Sequence, residues 1–308
     1  MRPFLFDNFA ERELVLSTHG LSRRFGNRIA LAGLDLAVPE GAANVLTGPN
    51  AAGKSTALRS MMQLTSPKPG SIQIFGLDVA EEGARVRTRI GYVPETTQVP
   101  YPWMTVERLL GHQAVYFPNW DETYAQRLIH ALQVPRDVPY GTLSKGYARR
   151  VQLILALAHK PGLLLLDEPT DGLDPLARDL VLGLIVDHLG AVPTTLLFST
   201  HLLSEVEGLA DCLGLIRDGH LVVQLDRERL RNLFHSYRLV ADKNWQAPLE
   251  LQDQILSSSN SGREWEFSIW GRPGEVKAQL EATGARVEEP RHPALAQAVH
   301  SLLAMEVA

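Results

Sequence analysis

The sequence predicts an α/β protein. Its core has a parallel sheet plus an antiparallel β portion, with an inserted helical subdomain and a small C-terminal α+β module. Short β-rich runs alternate with helical patterns through the first two thirds of the chain, as in a parallel sheet covered by helices. Two apolar runs, 163–166 and 195–198, lack the polar alternation of a half-exposed strand, which suits strands buried on both faces. A turn-rich segment, Gly48-Pro49-Asn50-Ala51-Ala52-Gly53, separates an apolar run from a helical one.

Taken in order, residues 14–17 and 34–38 read as early strands. Residues 44–46 form another apolar run, and 54–64 have helix character. Residues 72–75 alternate like a strand; 90–93 are short and apolar, and Pro94 stops them. From about 105 to 160 helical patterns dominate. Val106, Leu109, Leu110 and Ala114 share one helix face, and Tyr124, Leu128, Ala131 and Leu132 repeat that spacing after the PNWD turn. Strands return at 163–166 and 195–198, and 212–223 reads as a hairpin around Gly219. The Ser-rich segment 257–262 reads as a flexible loop, 266–270 as a strand, and 273–282 and 293–305 as helices. The expected organisation is an N-terminal extension (1–13), a main domain (14–225) with a helical subdomain at about 95–160, and an accessory module (226–308). Leu295, Val299, Leu302 and Met305 form an apolar stripe. It suits a helix packed on its own small sheet, or a dimer or regulatory surface.

The chain has 308 residues, enough for a substantial core, and a net charge of −5. Its acidity argues against duplex nucleic acid as a partner, because phosphate backbones select basic faces. The single cysteine, Cys212, allows no intramolecular disulfide and fits a reducing compartment. The most apolar stretch, 151–166, is cut by His159, Lys160, Pro161 and Gly162. No segment therefore reads as membrane-spanning. Asp7, Glu11 and Glu13 make the first residues a poor signal peptide.

Gly48 through Ser55 fit G-x-x-x-x-G-K-[ST], preceded by an apolar run and followed by a helix. Glycines let backbone amides ring a phosphate, and the helix N-terminus adds free donors. Lys54 supplies a point charge for the outer phosphates, and Ser55 can ligate Mg2+. The plainer alternative is a Gly-rich turn with a solvated lysine. Further on, four leucines end in Asp167-Glu168-Pro169. At the carboxyl end of a buried strand, Asp167 faces the same crevice and can hold the Mg2+ shell. Glu168 is then placed to orient or deprotonate water. Solvated acids ending a strand are the bland reading.

The remaining motifs resemble those of the nucleotide-binding subunits of ATP-binding-cassette (ABC) transporters. Leu143-Ser144-Lys145-Gly146-Tyr147 stands where that family has its LSGGQ signature. Asp171-Gly172-Leu173-Asp174 resembles the loop after the acid-ended strand, and Ser199-Thr200-His201 resembles the switch-histidine segment. The resemblance covers about residues 14–235. It implies a P-loop NTPase core that binds ATP with Mg2+. Residues 48–55 and Thr56 would form the phosphate site, Phe25 would stack on adenine, and Ser55, Glu95 and Asp167 would serve the metal. Glu168 and His201 would be catalytic, and Ser144 and Gly146 would meet the γ-phosphate held by a second subunit. By themselves, Ser144 reads as a helix cap, His201 as a structural histidine and Phe25 as core.

Four positions depart from the family pattern. Ala51 replaces a loop glycine, Glu95 stands for a usual glutamine, and Lys145 and Tyr147 replace a glycine and a glutamine in the signature. The SKG signature, Glu95 and the segment YFPNWDETYAQRL resemble bacterial exporter ATPases of the drug and antimicrobial-peptide resistance type. That implies a separately encoded membrane permease as partner, a homodimer or heterodimer of ATPase subunits, no nucleic acid, and a cytoplasmic location on the inner face of the membrane. A soluble non-transport ABC ATPase with a regulatory or remodelling role is the alternative. A small-molecule kinase would share the phosphate loop but not the signature.

Overall fold

The computed structural model describes residue 9, residues 12–242 and residues 245–304. They fall into two compact units. One takes the chain up to His201 together with Ile216–Val222; the other takes Leu202–Leu215 and the chain from Val223 onward.

The first unit opens with strands β1 (Leu14–Thr18), β2 (Leu21–Phe25), β3 (Arg28–Leu34), β4 (Ala37–Pro39) and β5 (Ala43–Thr47). Helix α1 (Lys54–Met61), β6 (Ile72–Ile74), β7 (Leu77–Asp78), α2 (Val79–Arg87) and β8 (Ile90–Val93) follow. Next come α3 (Val106–Ala114), α4 (Glu122–Ala131), α5 (Lys145–Leu157), β9 (Leu163–Asp167), α6 (Pro175–Ala191) and β10 (Thr195–Thr200). Strands β5, β10, β9 and β8 pair in that order, all parallel. Every residue of β5, β9 and β10 is buried, which is why these runs carry no polar alternation. The antiparallel portion is a second sheet, β4-β1-β6-β7, beside a separate β2–β3 hairpin.

Residues 34–38 are not one strand. β3 ends at Leu34 and β4 starts at Ala37. The Thr18 hydroxyl donates to the Leu34 carbonyl at 2.8 Å and accepts from the Leu36 amide at 2.9 Å. That side chain takes over the backbone groups a continuous ladder would need. The helical stretch is as expected, each helix opened by a capping side chain: Thr105 for α3, Asp121 for α4 and Ser144 for α5. The β2–β3 hairpin, α2 and α6 are additional to the sequence reading. The signal for α6 was present: Asp174 caps it, Pro175 takes its first position, and Ala177, Val181, Ile185 and His188 form its buried stripe.

Strands β11 (Cys212–Arg217) and β12 (His220–Asp226) make the expected hairpin, and its tip belongs to the first unit. The second unit continues with α7 (Arg227–Leu233), β13 (Phe234–Val240), β14 (Ile255–Ser261), β15 (Glu264–Trp270), α8 (Pro273–Glu281), β16 (Arg286–Val287) and α9 (Leu295–Ala304). Its sheet runs β14-β15-β13-β16 around a core that includes Tyr237, Leu251, Phe267, Ile269 and Leu280. The expectation of a loop at 257–262 is wrong, because residues up to Ser261 are strand β14. Serine composition gives little strand propensity, but β15 supplies an antiparallel partner in continuous register from Ser257↔Ser268 to Ser261↔Glu264. As the edge strand, β14 leaves Ser258, Ser259 and Ser261 exposed. The α9 stripe holds for Leu295, Val299 and Leu302, all buried, while Met305 lies outside the described residues. Ser301 reaches Ser257 and Ser268, so α9 lies against its own unit's sheet. Among the described residues no helix is long and apolar enough to cross a membrane.

Candidate active site

The carboxyl ends of β5, β9 and β10 converge, and their next residues build the site. After β5 the chain turns through Gly48 to Gly53 and enters α1 at Lys54. Two glycines are obligatory. Gly48 has φ 156°, and a Cβ there would lie 2.1 Å from the Ile216 carbonyl oxygen. Gly53 has φ 114°, and its Cβ would lie 2.6 Å from the Ala30 oxygen. Pro49, Asn50 and Ala51 are the exposed tip; Ala52 is buried, and Ser55 and Thr56 are half-buried. Ala51 takes φ 65°, the left-handed region that a glycine occupies without strain. No side chain caps α1, and its first turn carries no acid, so its opening amides are left for an anion.

The Lys54 ammonium is buried. It donates to the Gly48 carbonyl at 2.8 Å and the Pro49 carbonyl at 3.2 Å, and lies 3.5 Å from Glu168 Oε1. The other oxygen of Glu168, Oε2, lies 2.9 Å from His201 Nδ1 and accepts from the His201 amide at 3.3 Å. Glu168 is 7% exposed and has φ 47°, a strained backbone of the kind found where function fixes a side chain. The Glu168 amide donates to the Ser199 carbonyl at 3.1 Å, which pins the bend to β10.

Asp167, fully buried, accepts from Ser199 Oγ at 2.7 Å and from Ser55 Oγ at 3.0 Å. Ser55 Oγ is also 3.4 Å from Glu95 Oε2. Burial, chiefly, pushes the Asp167 carboxyl above its ordinary range. The Ser199 and Ser55 hydroxyls pull it down, and the Glu95 and Glu168 charges add to the rise. Among the described residues no group of three His, Cys, Asp or Glu side chains could hold a metal alone. The donors beside Ser55 are nevertheless all oxygen. One hydroxyl with one or two carboxylates is what Mg2+ takes when substrate phosphates complete its shell.

Lys54, Ser55, Glu95, Asp167, Glu168 and His201 therefore meet in one place. Ser144 and Gly146 stand outside that cluster. Ser144 is exposed and caps α5, accepting from the Tyr147 amide at 3.3 Å. Next to it, Lys145 pairs with Asp171 at 2.9 Å, in the loop that leaves Glu168. Phe25 is 50% exposed, which excludes a core role. It ends β2 opposite Arg28, whose guanidinium reaches the Ala51 carbonyl at 3.4 Å. The hairpin thus stands beside the phosphate loop, with the half-exposed Phe25 ring carrying the Arg23 guanidinium 5.3 Å from its centroid. The support that Ser199 gives Asp167 was not predicted, because a small hydroxyl on a neighbouring strand leaves no mark in the β9 sequence.

The sequence model of the ABC transporter family matches residues 31–171. "Nod factor export ATP-binding protein I" of Ralstonia nicotianae is 35% identical over 215 residues, 68% of this chain and 66% of that protein. The match thus spans just under two thirds of that relative's length. "ABC transporter ATP-binding protein YtrB" of Bacillus subtilis is 30% identical over 74% of this chain and 77% of its own length. "Bacitracin transport ATP-binding protein BcrA" of Enterococcus faecalis is 29% identical over 73% of each. A solved ATP-binding subunit of an ABC transporter superposes with a TM-score of 0.63 at 28% identity, over 70% of this chain and 92% of that one.

Proposed function

Since this chain belongs to the ABC transporter family, we propose that it is the ATP-hydrolysing motor of an exporter that drives a separate membrane permease. The observation that carries the reading is the Glu168 carboxylate, buried between Lys54 at 3.5 Å and His201 at 2.9 Å, beside the phosphate loop.

Each neighbour of Glu168 is also a natural partner for phosphate. Lys54 and the free amides of α1 bind the outer phosphates of ATP, and His201 faces the γ-phosphate. Both contacts draw charge partners away from Glu168, leaving a carboxylate held in a strained bend with an acceptor free for water. Glu168 then orients that water and takes its proton as oxygen attacks phosphorus and the bond to ADP breaks. Ser55 and Asp167, with Glu95 beside them, would hold Mg2+, which when bound neutralises charge on the β- and γ-phosphate oxygens. Phe25 offers its exposed ring to adenine. The exposed start of α5, with Ser144 and Gly146, serves the nucleotide of a second ATPase subunit, this chain or a related one, in a head-to-tail pair.

The exporter assignment draws on relatives named for Nod factor export and bacitracin transport. For the permease, the first unit offers an exposed aromatic and apolar patch at the start of its helical stretch. Trp103 is 67% exposed, Tyr116 59% and Val115 82%. Tyr101 stacks edge-on against Trp103. Such patches mark contact surfaces. Docked there, the protein sits at the cytoplasmic face of the membrane. The experiment is affinity purification of the tagged chain from detergent-solubilised native membranes, with copurifying proteins identified by mass spectrometry. A stoichiometric multi-span protein is expected, and its loss on Trp103→Ser would locate the contact. A soluble dimer with no membrane protein attached would overturn the transport reading and favour a regulatory or remodelling ATPase.

A further inference from the structure

Residues 94–97 join β8 to the helical stretch, and they carry Glu95 to the site. Each of their four consecutive carbonyls accepts a hydrogen bond from a side chain in or just before α5. Arg149 donates through Nη1 to Pro94 and through Nη2 to Glu95, the latter at 2.7 Å. Gln152 Nε2 donates to Thr96 at 2.9 Å, and the Tyr140 hydroxyl to Thr97 at 2.6 Å. Two of these side chains are hydrogen-bonded to each other, and the third to the backbone of α5. Arg149 Nη1 donates to Gln152 Oε1 at 3.1 Å, which fixes the amide's orientation, and the Tyr140 hydroxyl lies 3.4 Å from the Ala148 carbonyl.

All three donors are buried, and Arg149 is 0% exposed. Its guanidinium meets backbone carbonyls rather than a carboxylate. Burying a cation that way is costly, and an apolar side chain of similar size would fill the space without the penalty. What the cation supplies instead is direction: a planar fork that holds two successive carbonyls in one geometry.

We infer that Arg149, Gln152 and Tyr140 are positioning residues for Glu95. They fix the backbone that presents its carboxylate 3.4 Å from Ser55 Oγ, and they make the loop follow helix α5. The inference rests on the ATPase reading of the site. A group held off its place by loosened backbone loses interactions worth about five- to tenfold in binding.

The test is a double-mutant cycle in a Glu168→Gln background, where bound ATP persists. The readout is the Mg2+ concentration that half-saturates the enhancement of ATP binding, with ATP affinity in EDTA and thermal melting measured in parallel. Tyr140→Phe and Gln152→Met should each raise the Mg2+ midpoint about five- to tenfold and leave affinity in EDTA unchanged. In a Glu95→Ala chain the same substitutions should move the midpoint no further. Should Gln152→Met fail to fold, Tyr140→Phe, which removes one hydroxyl, decides the matter. Unchanged midpoints, or equal shifts with and without Glu95, would overturn the inference while ATP binding stands. Failure of the Glu168→Gln chain to bind ATP at all would overturn the ATPase reading and the inference with it.

Discussion

Lys54 spends its three contacts on the Gly48 and Pro49 carbonyls and on Glu168. Those carbonyls hold the ammonium at the mouth of the phosphate loop, and Glu168 balances its buried charge. Lys54→Ala removes the point charge that the outer phosphates need and leaves Glu168 without its cation. The expected outcome is a loss in ATP affinity of about 10- to 150-fold, the worth of a charged hydrogen bond. Equilibrium binding of labelled ATP measures it, and an unchanged dissociation constant contradicts the phosphate role. At this scale the sequence was informative where chemistry is written in consecutive residues. Gly48, Gly53, Lys54, Ser55, Asp167 and Glu168 fall in two short motifs, and the fold brings those motifs together. Arg149 and Gln152 could not be read in this way. Arginines in ARRV look like solvent-facing charge, and the loop partners of Arg149 and Gln152 lie 54 to 56 residues away. Ala51, where the family pattern has a glycine, adopts the left-handed conformation itself, at an exposed tip.

The elements most legible in the sequence are those whose surroundings are uniform. Strands β9 and β10 are buried on both faces, so their residue types report that burial directly. Strand β14 was not legible, because its pairing with β15 rather than its own serines decides its state. Two buried histidines, one in a helix and one just past a helix end, also make the molecule acid-sensitive. His159, just past α5, bonds to the Ile90 carbonyl at 3.1 Å and stacks on Phe117. His188, in α6, lies between the Tyr124 hydroxyl and Thr194. Burial, first of all, pushes both imidazoles down from 6.5 to about 4. The unfolded chain therefore binds protons that the folded chain refuses as pH falls from 6.5 towards 4. Stability is fully present above that window and declines through it, by about 3 kcal/mol per histidine. That is a large share of an ordinary domain's stability. Denaturant melts at pH 7 and pH 5 should show the decline, and His159→Gln should reduce it. Equal pH dependence in wild type and variant would contradict the assignment to His159.

On the scale of the whole molecule, two units divide the work. The first holds the parallel sheet, the Gly48–Ser55 loop, Asp167, Glu168, His201 and the helical stretch. On the proposed function, this site grips triphosphate and activates water, and the start of α5 serves the nucleotide of a second subunit. The second is an α+β body with its own core. Lys54, Ser55, Glu95, Asp167, Glu168 and His201 all belong to the first unit. The family's order of motifs was readable along the chain because each sits at the carboxyl end of a strand or at a helix start. The pairing of Lys145 with Asp171, and the clamp on residues 94–97, become visible only once the chain is folded.

The most direct test of the central claim compares ATP turnover by the purified chain with that of Glu168→Gln, with ATP binding and dimer formation followed alongside. The wild-type chain should release phosphate from ATP. Glu168→Gln should bind ATP with comparable affinity, accumulate as an ATP-bound dimer, and turn over at least about a hundredfold more slowly, the scale of a lost general base. Turnover near the wild-type rate in Glu168→Gln would contradict the assignment of Glu168 and the mechanism built on it.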